Sequence, residues 1–234
     1  MIFIMNNLAI ITARGGSKRI PRKNIKDFLG KPIIAYSIQT AIDSGLFDEV
    51  MVSTDNLEIA EIAIKYGANV PFMRTSINSN DHSSTADVLT EVLEQQIING
   101  KFYKNACCIY PTAPLISVQS LSDGYLLLTC KGYDTVFPVC AFSYPILRTL
   151  ILNSEGKVEM KWPENLVKRS QDLPTFYHDS GQFYWLNIQR FLIKKQLFTD
   201  NSGSIILNEL NVQDIDNETD WKLAELKYSL MHAK

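Results

Sequence analysis

Hydrophobic positions fall into short runs and helical stripes that alternate through the first 140 residues. Leu8-Ala9-Ile10-Ile11 is an apolar run that ends in a polar loop, the pattern of a strand buried on both faces. After Pro32, whose fixed φ suits a first helical turn, Ile34, Ile38, Ala41 and Ile42 recur at helical spacing. Gly45 predicts the end of that helix. Val50-Met51-Val52-Ser53 predicts the next strand, and Ile59, Ile62, Ala63 and Tyr66 mark a second helix closed by Gly67. Val70-Pro71-Phe72-Met73 predicts a short strand, placed at an edge by its proline. A helix over 86–98 follows, then a strand over 106–110, a helix capped by Ser117 or Ser120 that runs to about Lys131, and a strand over 135–140.

This rhythm predicts a doubly wound α/β fold with a mostly parallel sheet and helices on both faces. Ligands of such sheets bind beyond the C-terminal ends of the strands. The alternation breaks over 141–185, where Pro145, Pro163, Pro174, several aromatics and the turn Asn153-Ser154-Glu155-Gly156 predict a small β-rich insertion. It resumes with a helix over 188–195, a strand over 204–207 and a final helix from Glu218. The chain, 1–234, reads as a single domain carrying that insertion, without repeats.

At 234 residues the chain can bury a sizeable core without staples. Its formal net charge of −2 argues against bulk nucleic-acid binding, so an anionic small ligand must be met by a local cationic cluster. Cys107, Cys108, Cys130 and Cys140 form no C-x-x-C pair, and His82, His178 and His232 are far apart, which argues against zinc. Cys107 and Cys108 read as core thiols of a reducing compartment. Met1-Ile2-Phe3-Ile4-Met5 is too short for a signal-peptide core, and no apolar stretch approaches the roughly 20 residues of a membrane span. A cytoplasmic protein with no membrane partner is expected.

Five constellations carry candidate chemistry. Arg14, Lys18, Arg19, Arg22 and Lys23 surround Gly15, Gly16, Ser17 and Asn24 directly after the first strand. Glycines that permit positive φ and close backbone approach, with clustered cations, compose a polyphosphate cradle. A solvated basic loop has the same composition. Asp214-Ile215-Asp216 puts two carboxylates on one side of an extended segment, which suits Mg²⁺ held together with substrate phosphates, or a plain acidic loop before the last helix. Tyr110-Pro111-Thr112-Ala113-Pro114 is a stiff turn that holds Tyr110 and Thr112 at the sheet edge. Asn80-Asp81-His82-Ser83-Ser84-Thr85 is a helix cap or a nucleoside site. Tyr177-His178-Asp179-Ser180-Gly181-Gln182-Phe183-Tyr184-Trp185 is a sugar platform or an interface. A glycosyltransferase consuming a nucleotide sugar would carry the same Asp-x-Asp; the basic loop favours an intact triphosphate.

Together these segments resemble the CMP-sugar synthetases, most closely their pseudaminic acid cytidylyltransferase branch. The resemblance rests on A-R-G-G-S-K-R-x-P-x-K-N from Ala13 to Asn24, G-K-P-x-I-x-Y from Gly30 to Tyr36, V-S-T-D from Val52 to Asp55, Y-P-T-A-P from Tyr110 to Pro114 and D-I-D from Asp214 to Asp216. Arg169-Ser170-Gln171-Asp172-Leu173-Pro174 also looks like that branch. Tyr110 stands where sialic acid synthetases usually carry Gln, which sets this chain apart from them. The resemblance implies a homodimer built through the insertion. It also implies Mg²⁺-dependent transfer of CMP from CTP to the anomeric hydroxyl of an acidic nine-carbon sugar. On it, Arg14, Gly15, Gly16, Ser17, Lys18, Lys23 and Asn24 meet the triphosphate, and Arg74, Ser84 and Thr85 surround the cytidine. Asp214 and Asp216 hold Mg²⁺, and Tyr110, Arg169, Gln171, His178 and Gln182 face the sugar. Lys18 and Arg14 act in catalysis, with Asp214 as a candidate base.

Overall fold

The computed structural model describes residues 4–80 and 82–233. Met1 to Phe3, part of the stretch judged too short for a signal peptide, and Asp81 of the polar cap lie outside the described residues. The strands are β1 (Ile4–Thr12), β2 (Asp27–Phe28), β3 (Lys31–Pro32), β4 (Glu49–Ser53), β5 (Phe102–Ile109), β6 (Thr135–Ala141), β7 (Leu150–Leu152), β8 (Val158–Met160), β9 (Tyr177–Asp179), β10 (Phe183–Asn187) and β11 (Ser202–Leu207). The helices are α1 (Ile33–Asp43), α2 (Leu57–Lys65), α3 (Thr85–Ile98), α4 (Val118–Lys131), α5 (Ile188–Lys194) and α6 (Glu218–Met231).

The main sheet runs β11-β6-β10-β5-β1-β4, with β9 also on β6. β1 is parallel to both β4 and β5, and β6 is parallel to β11, as the alternation predicts. β10 is antiparallel to β5 on one side and β6 on the other, so the sheet is mixed at its centre. Both faces are covered. Ala9, Ile11 and Cys107 pack on one face with Ile34, Ile38 and Leu121; Leu8, Ile10 and Cys108 pack on the other with Leu89, Val92 and Phe191. Burial on both sides is why these strands read as continuous apolar runs.

Two expectations are corrected. Residues 70–73 form no strand; only Asn69 bridges Met51. Pro71 offers no N–H to a ladder, and the chain leaves the sheet to bring Arg74 N–H to Thr54 O at 2.8 Å. The segment outside the sheet also ends sooner than 185. Residues 177–187 return to it as β9 and β10, leaving 142–176 as the excursion, built on the β7–β8 hairpin. Phe183, Tyr184 and Trp185 are core residues and form no aromatic platform. Trp185 stacks on Phe47 at 5.0 Å, and its indole N–H donates to Leu121 O at 3.0 Å.

Beneath the basic loop lies a third cluster of Ile20, Phe28, Ile33, Ile215, Trp221 and Ala224. A tight hairpin joins β2 to β3, with Leu29 (φ 50°) and Gly30 (φ 90°) both left-handed, as a primed turn requires. Tyr36 Oη locks it by donating to Phe28 O at 2.6 Å. No helix among the described residues is long and apolar enough to cross a membrane.

Candidate active site

β1 continues through α1 to β4 on one side, and the chain then returns to β5 on the other. The strand order reverses between β1 and β5, which is where doubly wound sheets bind ligands. An open cleft of about 310 Å³ lies there. Thr12 and Tyr110, at the C-terminal ends of these two strands, line its floor.

The loop after β1 forms one wall through Arg14, Ser17, Lys18, Arg19, Lys23 and Asn24. Several contacts shape it. Ala13 N–H donates to Ser53 O at 3.0 Å, Gly15 N–H to Asp55 Oδ1 at 2.8 Å, and Asn24 Nδ2 to Arg14 O at 2.8 Å. Gly15 and Gly16 lie in this loop, but neither has the positive φ anticipated for them; Arg22 does, at 55°. Gly15 is closely approached by the Asn56 side chain instead. A Cβ there would stand 3.0 Å from Asn56 Nδ2, whereas one on Gly16 would meet nothing within 4 Å. Asp55 therefore serves the V-S-T-D stretch by holding the loop's backbone.

The opposite wall is the N-terminus of α3, with Ser83, Ser84 and Thr85, joined by Asn78 and Asn80. Arg74 reaches in from the side and is almost wholly buried. Its Nε donates to Ser53 Oγ at 3.0 Å, and burial lowers its pKa from the ordinary guanidinium value. Ser84 caps α3 in a reciprocal capping box with Asp87, so the helix-cap reading of this stretch holds.

The acidic pair approaches the cationic loop from the far end of the sequence. Ile215 is fully buried in the third cluster, and Asp214 and Asp216 flank it. Lys23 Nζ donates to Ile215 O at 2.7 Å, and Arg19 pairs with Asp216 at 2.6 Å. Burial lowers the Lys23 pKa, opposed by the fields of Asp216 and Asp214. Burial, reinforced by Asp216, raises the Asp214 carboxyl above its ordinary value even with Lys23 nearby. Two such carboxylates suit a hard cation. No group of three or more His, Cys, Asp and Glu side chains that could hold a metal ion converges among the described residues.

The structure thus gathers Arg14, Ser17, Lys18, Lys23, Asn24, Arg74, Ser84, Thr85 and Tyr110 around one cleft. It places the remaining candidates elsewhere. Arg169 and Gln171 sit on the excursion, where Arg169 Nε pairs with Asp172 at 2.7 Å. His178, on β9, packs against Phe142 at 4.9 Å and its Nδ1 lies 2.9 Å from Asp179 O. Gln182 is buried, with Nε2 donating to Asn211 O at 2.5 Å. It accepts Tyr110 N–H at 2.8 Å through its own carbonyl. Thr12, Ile20, Asn78 and Val88 line the cleft unanticipated. Thr12 could have been found as the last residue before Ala13-Arg14; Asn78 carries no local signal.

A cationic loop at the switch point of a two-sided sheet defines a nucleotide-binding α/β enzyme. The chain belongs to the cytidylyltransferase family, whose sequence profile matches residues 8–210. It is 42% identical over 228 residues to a pseudaminic acid cytidylyltransferase of Campylobacter jejuni, covering 97% of this chain and 98% of that one. It is 30% identical over 230 residues to a CMP-N,N'-diacetyllegionaminic acid synthase of Legionella pneumophila, covering 94% and 95%. In fold it matches a CMP:2-keto-3-deoxy-manno-octonic acid synthetase solved with CTP, with a TM-score of 0.69 at 16% identity over 97% of this chain and 99% of that one.

Proposed function

We propose that this cytidylyltransferase transfers CMP from CTP to the anomeric hydroxyl of an acidic nine-carbon 2-keto sugar, pseudaminic acid, releasing pyrophosphate. The end-to-end 42% identity to the Campylobacter jejuni enzyme supports that sugar most directly. Tyr110, at the end of β5, is consistent with the same branch.

Arg14, Ser17, Lys18, Lys23 and Asn24 bind the triphosphate, with backbone at Gly15 and Gly16 completing the cradle. Lys18 and Arg14 meet the charge that grows on pyrophosphate as the α-phosphate bond breaks. Arg74, Ser84 and Thr85 hold the cytidine, and Tyr110 faces the sugar. Gln182 supports the sugar side by bracing Tyr110 and the segment around Asn211. Arg169, Gln171 and His178 reach the sugar only if the excursion, or a second copy of the chain, brings them to the cleft. Asp214 and Asp216 hold Mg²⁺, which when bound neutralises phosphate charge. Asp214, whose carboxyl burial raises above its ordinary value, is also the candidate to take the hydroxyl proton.

The excursion supports a homodimer. Its hairpin leaves Leu150, Leu152 and Val158 at least 60% exposed, with Leu166 and Val167 exposed nearby. Light scattering on Leu152→Glu/Val158→Glu is expected to halve the particle mass; an unchanged mass removes the hairpin from the interface. The free thiols Cys107, Cys108, Cys130 and Cys140 suit a reducing, cytoplasmic setting.

The deciding experiment supplies CTP and Mg²⁺ with pseudaminic, legionaminic, N-acetylneuraminic or 3-deoxy-octulosonic acid and measures each CMP-sugar. Pseudaminic acid is expected to give the highest kcat/KM. Equal or better turnover of another acid overturns the substrate assignment.

A further inference from the structure

The wall opposite the basic loop has two parts with different footings. Ser84 caps α3 and Thr85 opens it, and that helix sends Val88, Leu89 and Val92 into the core. Residues 75–80, which bring Asn78 and Asn80 to the cleft, have no such anchor. They make one 3-10 turn, Ser76–Asn78, without a buried residue, and its apolar side chain, Ile77, is 75% exposed. Hydrophobic packing contributes little to holding this stretch, the condition under which a segment opens locally.

A carboxylate supplies the hold. Glu91, on α3, accepts Thr75 N–H at Oε1 at 2.8 Å, and at Oε2 it accepts the Thr75 hydroxyl at 3.0 Å and the side-chain amide of Asn78. A carboxylate only accepts, so Asn78 must present its amide nitrogen, which fixes the orientation of a side chain that lines the cleft. Such charge-assisted bonds are stronger than neutral ones. Other side-chain ties of the turn stay within the same irregular segment: Ser79 Oγ to Thr75 O at 2.7 Å, Asn80 Nδ2 to Ile77 O at 2.6 Å and Ser83 Oγ to Ile77 O at 3.0 Å. Glu91 joins the turn to the core-packed helix. The fields of Asp55 and Glu91 also favour the charged form of Arg74 against its burial.

We propose that Glu91 is a positioning residue for the nucleotide: it clamps the turn carrying Asn78 onto α3 and so keeps this wall in its ligand-binding form before CTP arrives. Glu91 itself lines the groove behind the turn, with Thr75 and Asn78. The proposal rests on the reading that the cleft takes CTP. A wall ordered in advance spares the ligand the cost of ordering it, and apparent affinity falls in proportion to the fraction of molecules that hold the competent form. Once CTP is bound the wall is ordered in either case, so turnover at saturation is unaffected. The sign of the effect is diagnostic. By its field alone a carboxylate on this wall opposes a polyanion, so deleting the charge would tighten CTP, whereas deleting the clamp weakens it.

Glu91→Ala removes the clamp, and Glu91→Gln keeps its size and one acceptor. Glu94→Ala removes an equal charge from the same helix, one that pairs with Lys195 at 3.8 Å, and serves as the control. Calorimetry gives the CTP dissociation constant without sugar, hydrogen exchange reports on 75–80 with and without CTP, and steady-state assays give kcat and the sugar KM at saturating CTP. Glu91→Ala is expected to weaken CTP about tenfold, the scale of one net charge-assisted hydrogen bond. It should also speed exchange over 75–80, with protection recovered when CTP binds, and leave kcat and the sugar KM within twofold. Glu91→Gln should shift CTP in the same direction by less, and Glu94→Ala should leave it within twofold or tighten it. A merely structural role would lower the urea midpoint of Glu91→Ala without moving CTP affinity. A CTP dissociation constant within twofold of the unmodified protein or below it, unchanged exchange over 75–80, or an equal loss in Glu94→Ala overturns the proposal. Should Glu91→Ala fail to fold, Glu91→Gln decides on the same readouts, and unchanged CTP affinity and exchange overturn it. Failure of the underlying functional reading is seen separately, as absence of CTP binding to the unmodified protein.

Discussion

Lys23 Nζ donates a 2.7 Å hydrogen bond to the carbonyl of Ile215, a residue 192 positions away. This contact fastens the acidic pair to the basic loop, and the packing of Ile20 with Ile215 beneath it supplies the apolar half of the joint. Lys23→Met removes both the tether and a partly desolvated charge. Amide exchange across 212–217 is expected to quicken, with at least about a tenfold loss of kcat/KM for CTP. Exchange that is unchanged would show that packing of Ile215 alone holds the segment.

Lys18→Ala is expected to lower kcat about 10²-fold, the scale of one lost transition-state donor. Pyrophosphate release under saturating substrates measures it; near-normal turnover removes Lys18 from the cradle. Asp216→Asn is expected to abolish Mg²⁺-dependent turnover, and an unaltered Mg²⁺ titration would take Asp216 out of the metal site.

Gly15 and Gly16 should behave differently despite their adjacency. Gly15→Ala presses on Asn56, whose side chain caps α2 by accepting Ile59 N–H at 3.1 Å. A loss of about 1 kcal/mol is expected in urea unfolding, the scale of a weakened cap. Gly16→Ala adds a methyl to open space and should leave stability unchanged. Equal losses in both would point to backbone entropy as the common cause.

Asp134 links stability to pH. Burial pushes its carboxyl up, but hydrogen bonds from Lys194, Asn201 and Arg190 together outweigh that and hold it at about 2. A depressed folded pKa contributes stability above the ordinary carboxylate value of about 3.9, and this is lost as pH falls towards the folded value. The contribution is about 2 kcal/mol at neutral pH. Asp134→Asn should therefore destabilise the protein at pH 6 and converge with wild type as pH falls from about 4 towards 2. Parallel urea curves at several pH values test this, and a constant difference would rule out the ionic origin.

Where burial dictated residue type, the sequence was readable. β1, β4, β5 and β6 are covered on both faces, so their apolar runs announced them, and the loop cations stood out against a net charge of −2. Gly45 and Gly67 mark the ends of α1 and α2 with φ of 63° and 95°, as their positions suggested. Other features depend on partners distant in the chain. Nothing near residue 183 tells that Phe183-Tyr184-Trp185 enters between β5 and β6, because its aromatics would serve a surface platform equally well. Arg169 has the chemistry of a sugar ligand, but Asp172, three residues on, already engages it. Asn78 reaches the cleft through the path of the 69–80 segment, which no periodicity encodes.

The central place of β10 bears on how the protein is made. β1, β4 and β5 can pair as they leave the ribosome, but β6 joins them only through a strand that ends at Asn187. Contacts this distant in sequence slow folding and prolong exposure of apolar edges. The basic loop is synthesised well before Ile215, which lies 192 positions downstream of Lys23. A nascent chain accordingly carries the cations of this loop long before it has the surface that orders them, and a truncation before residue 215 should yield a loop that is complete in sequence but unsupported in space.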